Sequence, residues 1–170
     1  MINMSVQSEY TEIENEDTSF SGEIKRPFDP KRIDITTKQM ILEVIFRRLR
    51  NNEINLKTFF RRNPDLWDKT KQSRLIESIL IKLPLPAFYF DGTDDKEWLI
   101  VDGLQRLSTF KNYVIENKFK LQDLEYLKQF NNKSFGELPR DLQRRIEEHE
   151  ITVYRGACYD IWFACRAHQE

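Results

Sequence analysis

The chain has 170 residues and a mass of 20.5 kDa, room for one domain or one domain with a tail. At 39% apolar and 32% charged, with twelve Phe, six Tyr and three Trp, it can bury a core and is not wholly disordered. It has no apolar run of about 18 residues to span a membrane and no basic start with an apolar stretch to mark a secretory signal. Its two cysteines, Cys158 and Cys165, are too few for a disulfide framework. A cytoplasmic protein is the expectation.

The net charge of −1 hides an asymmetry. Residues 1–24 hold six acids and no Lys or Arg, leaving 27 bases against 22 acids over the remainder, or +5. Between Lys38 and Arg74 ten basic residues face four acidic ones. An acidic leading arm thus precedes a mildly basic body, which suits a polyanion such as a nucleotide or nucleic acid, although a solvated charged face gives the same count.

In chain order, residues 1–30 read as a flexible acidic arm without periodicity. Thr36 or Thr37 fits an N-cap, and Met40, Ile41, Val44, Ile45 and Leu49 recur at helical spacing, predicting a helix over 37–51 with Arg47, Arg48 and Arg50 at its cation-favouring end. A short extended piece at 53–56 follows, then a turn at Asn63-Pro64-Asp65. A second helix is expected over 73–82, with Leu75, Ile76, Ile79 and Leu80 on one face and Pro84 and Pro86 as stops. Residues 87–90 and 98–101 read as a hairpin around Asp91-Gly92. A third helix follows over 104–116. Beyond it the pattern suggests a short strand at 119–121, a helical turn at 123–130, a helix from Pro139 in its first turn to about 148, and a strand at 151–154. Trp67 and Trp98 are expected in the core. The fold class is α+β, a small mixed sheet with packed helices.

The stretch Val101-Asp102-Gly103-Leu104-Gln105-Arg106-Leu107-Ser108-Thr109 carries the most chemistry. A strand ends in Asp-Gly and a helix begins, so free N–H groups and a partial positive charge face whatever lies in front. Gly103 lets a ligand approach the backbone, and Arg106 can grip a phosphate with two parallel bonds. Gln105 can bond sugar, base or phosphate, and Ser108 and Thr109 a phosphate or a metal-bound water. Asp102 can orient Arg106, hold a magnesium water or accept a proton. The structural alternative is that Asp102 caps the helix and Arg106 makes an ion pair. No metal site is expected: Cys158, Cys165, His168 and His149 form no paired knuckle.

This stretch resembles the Asp-Gly-Gln-Gln-Arg signature of the GmrSD-type restriction endonuclease N-terminal domain family, which has a ParB/sulfiredoxin-like fold. Phe60-Arg61-Arg62 ahead of Trp67 resembles the family's Phe-Gln-Arg segment, and 73–79 with Pro84-Leu85-Pro86 its following helix and proline exit. The resemblance implies a nucleotide-binding and nucleoside triphosphate-hydrolysing module of a bacterial anti-phage, type IV-like restriction system. It implies possible contact with DNA, Mg2+ carried with the nucleotide, and a nuclease in another domain or partner. By position, Asp102, Gln105 and Arg106 are the catalytic signature, and Arg62 and Arg106 bind phosphate with Gly103, Ser108 and Thr109. On this reading Arg106→Ala weakens nucleotide binding and leaves the thermal midpoint nearly unchanged. Leu104 stands in place of the signature's first Gln, which fits a side chain facing the core, and Arg61 replaces the Gln before Arg62. A ParB-like domain is thus expected over 31–155. The family typically continues after Tyr154 into an Asn-Thr-Gly-Gly turn that residues 156–170 do not match, so a shortened or frame-shifted tail is expected. A non-enzymatic nucleic-acid- or protein-binding adaptor, or an inactive remnant, is the competing reading.

Overall fold

The computed structural model describes residues 34–57, 66–157 and 160–161. The acidic arm, Arg61, Arg62, both cysteines and His168 lie outside the described residues. Among the described residues, five strands form one mixed sheet in the order β1-β5-β3-β4-β2, with four helices packed against it. This is the α+β arrangement expected, and no described helix is long and apolar enough to cross a membrane.

The first departure from the sequence reading lies at the start. Residues Ile35–Ile41 form strand β1 rather than the opening of a helix. The competing interaction is distant in sequence: β1 pairs antiparallel with β5 (Glu150–Gly156) over seven positions, from Ile35↔Gly156 to Ile41↔Glu150. β-Branched Ile35, Thr36, Thr37 and Ile41 suit that pairing, so Thr36 and Thr37 serve a strand and cap no helix. Helix α1 (Leu42–Arg50) starts where the Leu42 N–H reaches His149 O at 3.0 Å. It buries Leu42, Ile45, Phe46 and Leu49, an i, i+3, i+4, i+7 stripe one register away from the one expected.

A two-residue strand, β2 (Ile54–Asn55), then pairs parallel with β4. Helix α2 (Lys69–Leu80) begins four residues earlier than the apolar pattern suggested, because Asp68 caps it by accepting the Lys71 N–H at 2.7 Å. The hairpin is present as β3 (Phe88–Asp91) and β4 (Trp98–Asp102), with a bulge between Tyr89 and Phe90. Helix α3 (Leu104–Phe110) runs on into a π-helical turn, Lys111–Ile115. Residues 119–121 form no strand; Leu121 exchanges only two backbone bonds, with Lys133 and Asn132. A 3-10 turn at Lys128–Phe130 falls inside the expected helical turn. Pro139 is the N-cap of α4 (Arg140–Glu147), one residue outside the helix rather than in its first turn. Beyond β5, Ile161 is fully buried. The core gathers Phe46, Phe88, Phe90, Phe110 and Tyr113, all with almost no exposure, and Trp98 joins it.

The irregular stretch 122–133 is held by polar groups on α2. Glu77 is buried, and its carboxylate accepts the backbone N–H groups of Tyr126 and Leu127 at 2.8 Å each and of Glu125 at 3.0 Å. Arg74 adds a contact at 3.4 Å, and Ser73 Oγ accepts the Gln122 N–H at 3.0 Å. Burial works to raise the Glu77 carboxyl, but those three N–H groups and the Arg74 guanidinium outweigh it and hold it below the ordinary 4.5. His149 moves the other way from its usual charge balance: burial holds its imidazole below the ordinary 6.5 against the opposing pull of Glu150. Its Nε2 is buried with no hydrogen-bond partner.

Both shifts destabilise the fold in acid. An unfolded His149 takes up a proton that the folded one resists, so stability falls as pH drops below about 6.5. The Glu77 contribution is complete above about 4.5 and is lost as pH falls through its lower folded value. Urea unfolding across pH should show two acid limbs, with His149→Gln removing the upper one. Glu77→Ala, which strips three buried N–H groups of their acceptor, should cost about 3 kcal/mol at neutral pH by the same measurement.

Candidate functional site

The Asp-Gly turn between β4 and α3 is built by a backbone constraint and a ring. Gly103 sits at φ +100, a left-handed conformation that glycine alone adopts cheaply. A Cβ there would stand 2.5 Å from Phe88 Cδ1, so the space beside Gly103 accommodates the aromatic ring of β3. Leu104 is buried in the core, consistent with a side chain that faces inward.

Arg106 is buried, at 8% exposure. Its guanidinium lies over the Phe88 ring, 4.3 Å from the centroid. Nη1 donates to the carbonyl of Pro86; Nη2 donates to Ala87 O at 3.0 Å and to Asp102 Oδ2 at 3.2 Å. Asp102 is the more exposed partner, with 35% of its side chain accessible against 10% for Arg106. The sequence carries a signal for this that is easily passed over. Pro84 and Pro86 have no N–H to donate to a strand ladder, which leaves the carbonyls of this stretch open to a side-chain donor.

Gln105 faces the other way. Its Oε1 accepts the backbone N–H groups of Leu66 at 3.1 Å and Trp67 at 3.2 Å. The residues just before α2 are thereby fastened to the first turn of α3. Ser108 and Thr109 are both buried. The Thr109 hydroxyl donates to Gln105 O at 2.8 Å, and Ser108 Oγ has no hydrogen-bond partner among the described residues. Asp102, Gly103, Gln105, Arg106, Ser108 and Thr109 thus follow one strand-to-helix turn but diverge: Arg106 and Asp102 meet at the Pro86–Ala87 segment, Gln105 holds Leu66 and Trp67, Ser108 and Thr109 are buried, and Arg62 lies outside the described residues. Sequence reading passed over Gln72, buried on α2, whose Nε2 donates to Trp67 O at 2.7 Å.

Among the described residues no group of three His, Cys, Asp or Glu is placed to hold a metal. A cleft of about 580 Å³, lined by Lys82, Pro84, Arg144, Arg145 and His149 among others, shares no residue with the Asp102–Arg106 turn. Three acidic side chains, Asp141, Glu148 and Glu150, balance its cations, so size alone does not make it an anion site.

Because both Arg106 nitrogens hold main-chain carbonyls, the expectation that its loss spares stability is reversed. Arg106→Ala should cost about 3 kcal/mol in denaturant unfolding, and Arg106→Lys most of that, since one ammonium cannot span Pro86, Ala87 and Asp102 together.

Comparison with known proteins bears on what this turn belongs to. The chain matches the family described as GmrSD restriction endonuclease, N-terminal domain, over residues 60–163. The match includes the segment carrying Arg61 and Arg62, both glutamines and the whole Asp102–Arg106 turn, and it extends past Tyr154, where the resemblance read from the sequence stopped. No curated protein and no solved structure matches the chain. More than half of the chain is covered, and the protein belongs to the GmrSD restriction endonuclease N-terminal domain family, a component of restriction systems.

Proposed function

We propose that the domain binds a nucleoside triphosphate where β4 meets α3, and hydrolyses it, while cleavage of DNA is supplied by another domain or partner protein of the restriction system. The observation that carries this reading is the pair of bonds from Leu66 and Trp67 to Gln105 Oε1. Arg62 precedes Leu66 by four residues, a span of at most about 14 Å in extended chain. Arg61 and Arg62 thus stand, in sequence, a few residues ahead of the point where the chain is fastened to the first turn of α3. That is where N–H groups and the positive helix end favour phosphate oxygens.

Roles divide by what each side chain already holds. Arg62 meets the phosphates, since Arg106 is engaged with Pro86, Ala87 and Asp102. Asp102, half-exposed beside that buried cation, is the carboxylate suited to orient the attacking water and take its proton. Water adds to the terminal phosphorus as the bond to the bridging oxygen breaks. The nucleoside diphosphate leaves with that electron pair. A single Asp also fits Mg2+, which is commonly held by one or two carboxylates plus the substrate's own phosphates and would neutralise their charge. The buried Thr109 hydroxyl supports α3 behind this surface through its bond to Gln105 O, and Ser108 is buried beside it.

Arg62→Ala is expected to weaken binding of magnesium–nucleoside triphosphate at least about tenfold, with a thermal midpoint unchanged within about 1 °C; losing one charge-assisted phosphate bond accounts for that much. Asp102→Asn should abolish phosphate release and retain binding. If DNA raises the midpoint of the wild-type protein and no nucleotide does, the domain is a binding adaptor and hydrolysis is not its work.

A further inference from the structure

The sheet ends on two unlike edges. β2 is two residues long, whereas β1 runs for seven and among the described residues has a neighbour, β5, on one side only. No bulge interrupts the β1–β5 ladder and β1 contains no proline, so its outer N–H and C=O groups form an uninterrupted row. Thr36, Thr37, Lys38, Gln39 and Ile41 are exposed. Proteins blunt such edges with short strands, bulges, proline or charge, because an open edge pairs with another chain. Lys38 is the one charge in β1, and a lone lysine is among those devices.

Asp34 changes what that lysine does. It stands four residues before Lys38, is exposed, and like Lys38 makes no ion pair among the described residues. Side chains alternate between the faces of a strand. Met40 packs against the core and Lys38 stands opposite buried Val153, so Thr36, Lys38 and Met40 share the core-facing side. The same alternation, carried one residue beyond the strand, puts Asp34 on it. Read backwards, Asp34-Ile35-Thr36-Thr37-Lys38 offers a cation where the forward reading has an anion. The segment is complementary to itself.

We propose that β1 is a dimer edge, pairing antiparallel with β1 of a second copy of this chain about a two-fold axis centred on Thr36. A two-fold normal to the sheet joins like face to like face, so only residues an even number of positions apart can stand opposite. Centring on Lys38 opposes two ammonium groups. Centring on Thr37 or Gln39 sets Lys38 against Thr36 or Met40 and leaves its charge unmatched. Centring on Thr36 pairs Asp34 with Lys38 twice, Ile35 with Thr37 twice, and Thr36 with its own copy; opposite charges and paired threonines both stabilise a ladder. Five residues from each chain, Asp34 to Lys38, make a small contact, of the kind that gives weak, concentration-dependent association. The pairing makes the two sheets continuous, and it is independent of the nucleotide-binding reading.

Analytical ultracentrifugation of the full chain at rising concentration should show a monomer–dimer equilibrium. Lys38→Glu and Asp34→Lys should each weaken it at least about tenfold, because each turns both ion pairs into like-charge pairs. The double variant restores opposite charges in reversed order and should return to within about threefold of the wild type. Both side chains are exposed, so the thermal midpoints should stay together. A second measurement needs no charge change: under mild oxidation Thr36→Cys should cross-link to its own copy faster than Lys38→Cys or Gln39→Cys, with the wild type as the control for the native cysteines. A chain that stays monomeric at every concentration would overturn the proposal. So would a dimer indifferent to the single charge reversals, which forms elsewhere, a double variant no tighter than the single ones, or faster cross-linking through Lys38→Cys, which marks another register.

Discussion

A guanidinium buried in a protein must be met by acceptors, and the arrangement around Arg106 follows from that requirement. Its acceptors are the carbonyls of Pro86 and Ala87 and the carboxylate of Asp102, with the Phe88 ring beneath it. Meeting them fixes the exit of α2, the start of β3 and the end of β4 relative to one another. The left-handed Gly103 is the only kind of residue that lets the chain turn there with Phe88 in place. Gln105, next to Arg106, then extends the same turn to Leu66 and Trp67. The Asp102–Arg106 turn is thus a clasp on three backbone segments, and the surface proposed to hold phosphate lies beside it.

Glu77 is the electrical counterpart. Where Arg106 collects carbonyls, Glu77 collects N–H groups, from Glu125, Tyr126 and Leu127, and so shapes a loop without regular structure. Both devices put one buried charge at the centre of several main-chain bonds, which are stronger than neutral ones and costly to leave unmade. Gln72 and Gln105 do the same with neutral amides. Side-chain bonds to backbone, more than ladders, carry the order of the 66–68, 86–87 and 122–133 stretches.

The elements legible in the sequence were those with local causes. The β3–β4 hairpin follows from apolar runs around Asp91-Gly92, α2 from its apolar face, and α4 from Pro139, each within a residue or a turn of the observed bounds. The helix expected from Thr37 failed because the partner of β1 is β5, more than a hundred residues on, and no local pattern announces it. Residues 102–106, contiguous in sequence, form the expected turn from strand to helix. Apart from the hint that Pro84 and Pro86 give, their bonding partners were not legible, because most are main-chain carbonyls and N–H groups, which nearly every residue possesses. Gln72 escaped notice for the same reason: a glutamine inside an amphipathic helix looks like a solvated one until its carbonyl partner is in place.

The central claim is that a phosphate-binding surface lies beside this clasp at the start of α3. A crystal structure with a non-hydrolysable nucleoside triphosphate analogue and Mg2+ tests it most directly. The account predicts the terminal phosphates within hydrogen-bonding distance of Arg62 and the first turn of α3, with Arg106 still on Pro86 and Ala87. A nucleotide seated instead in the cleft beside Arg144 and His149, or one that pulls Arg106 away from those carbonyls, would contradict it.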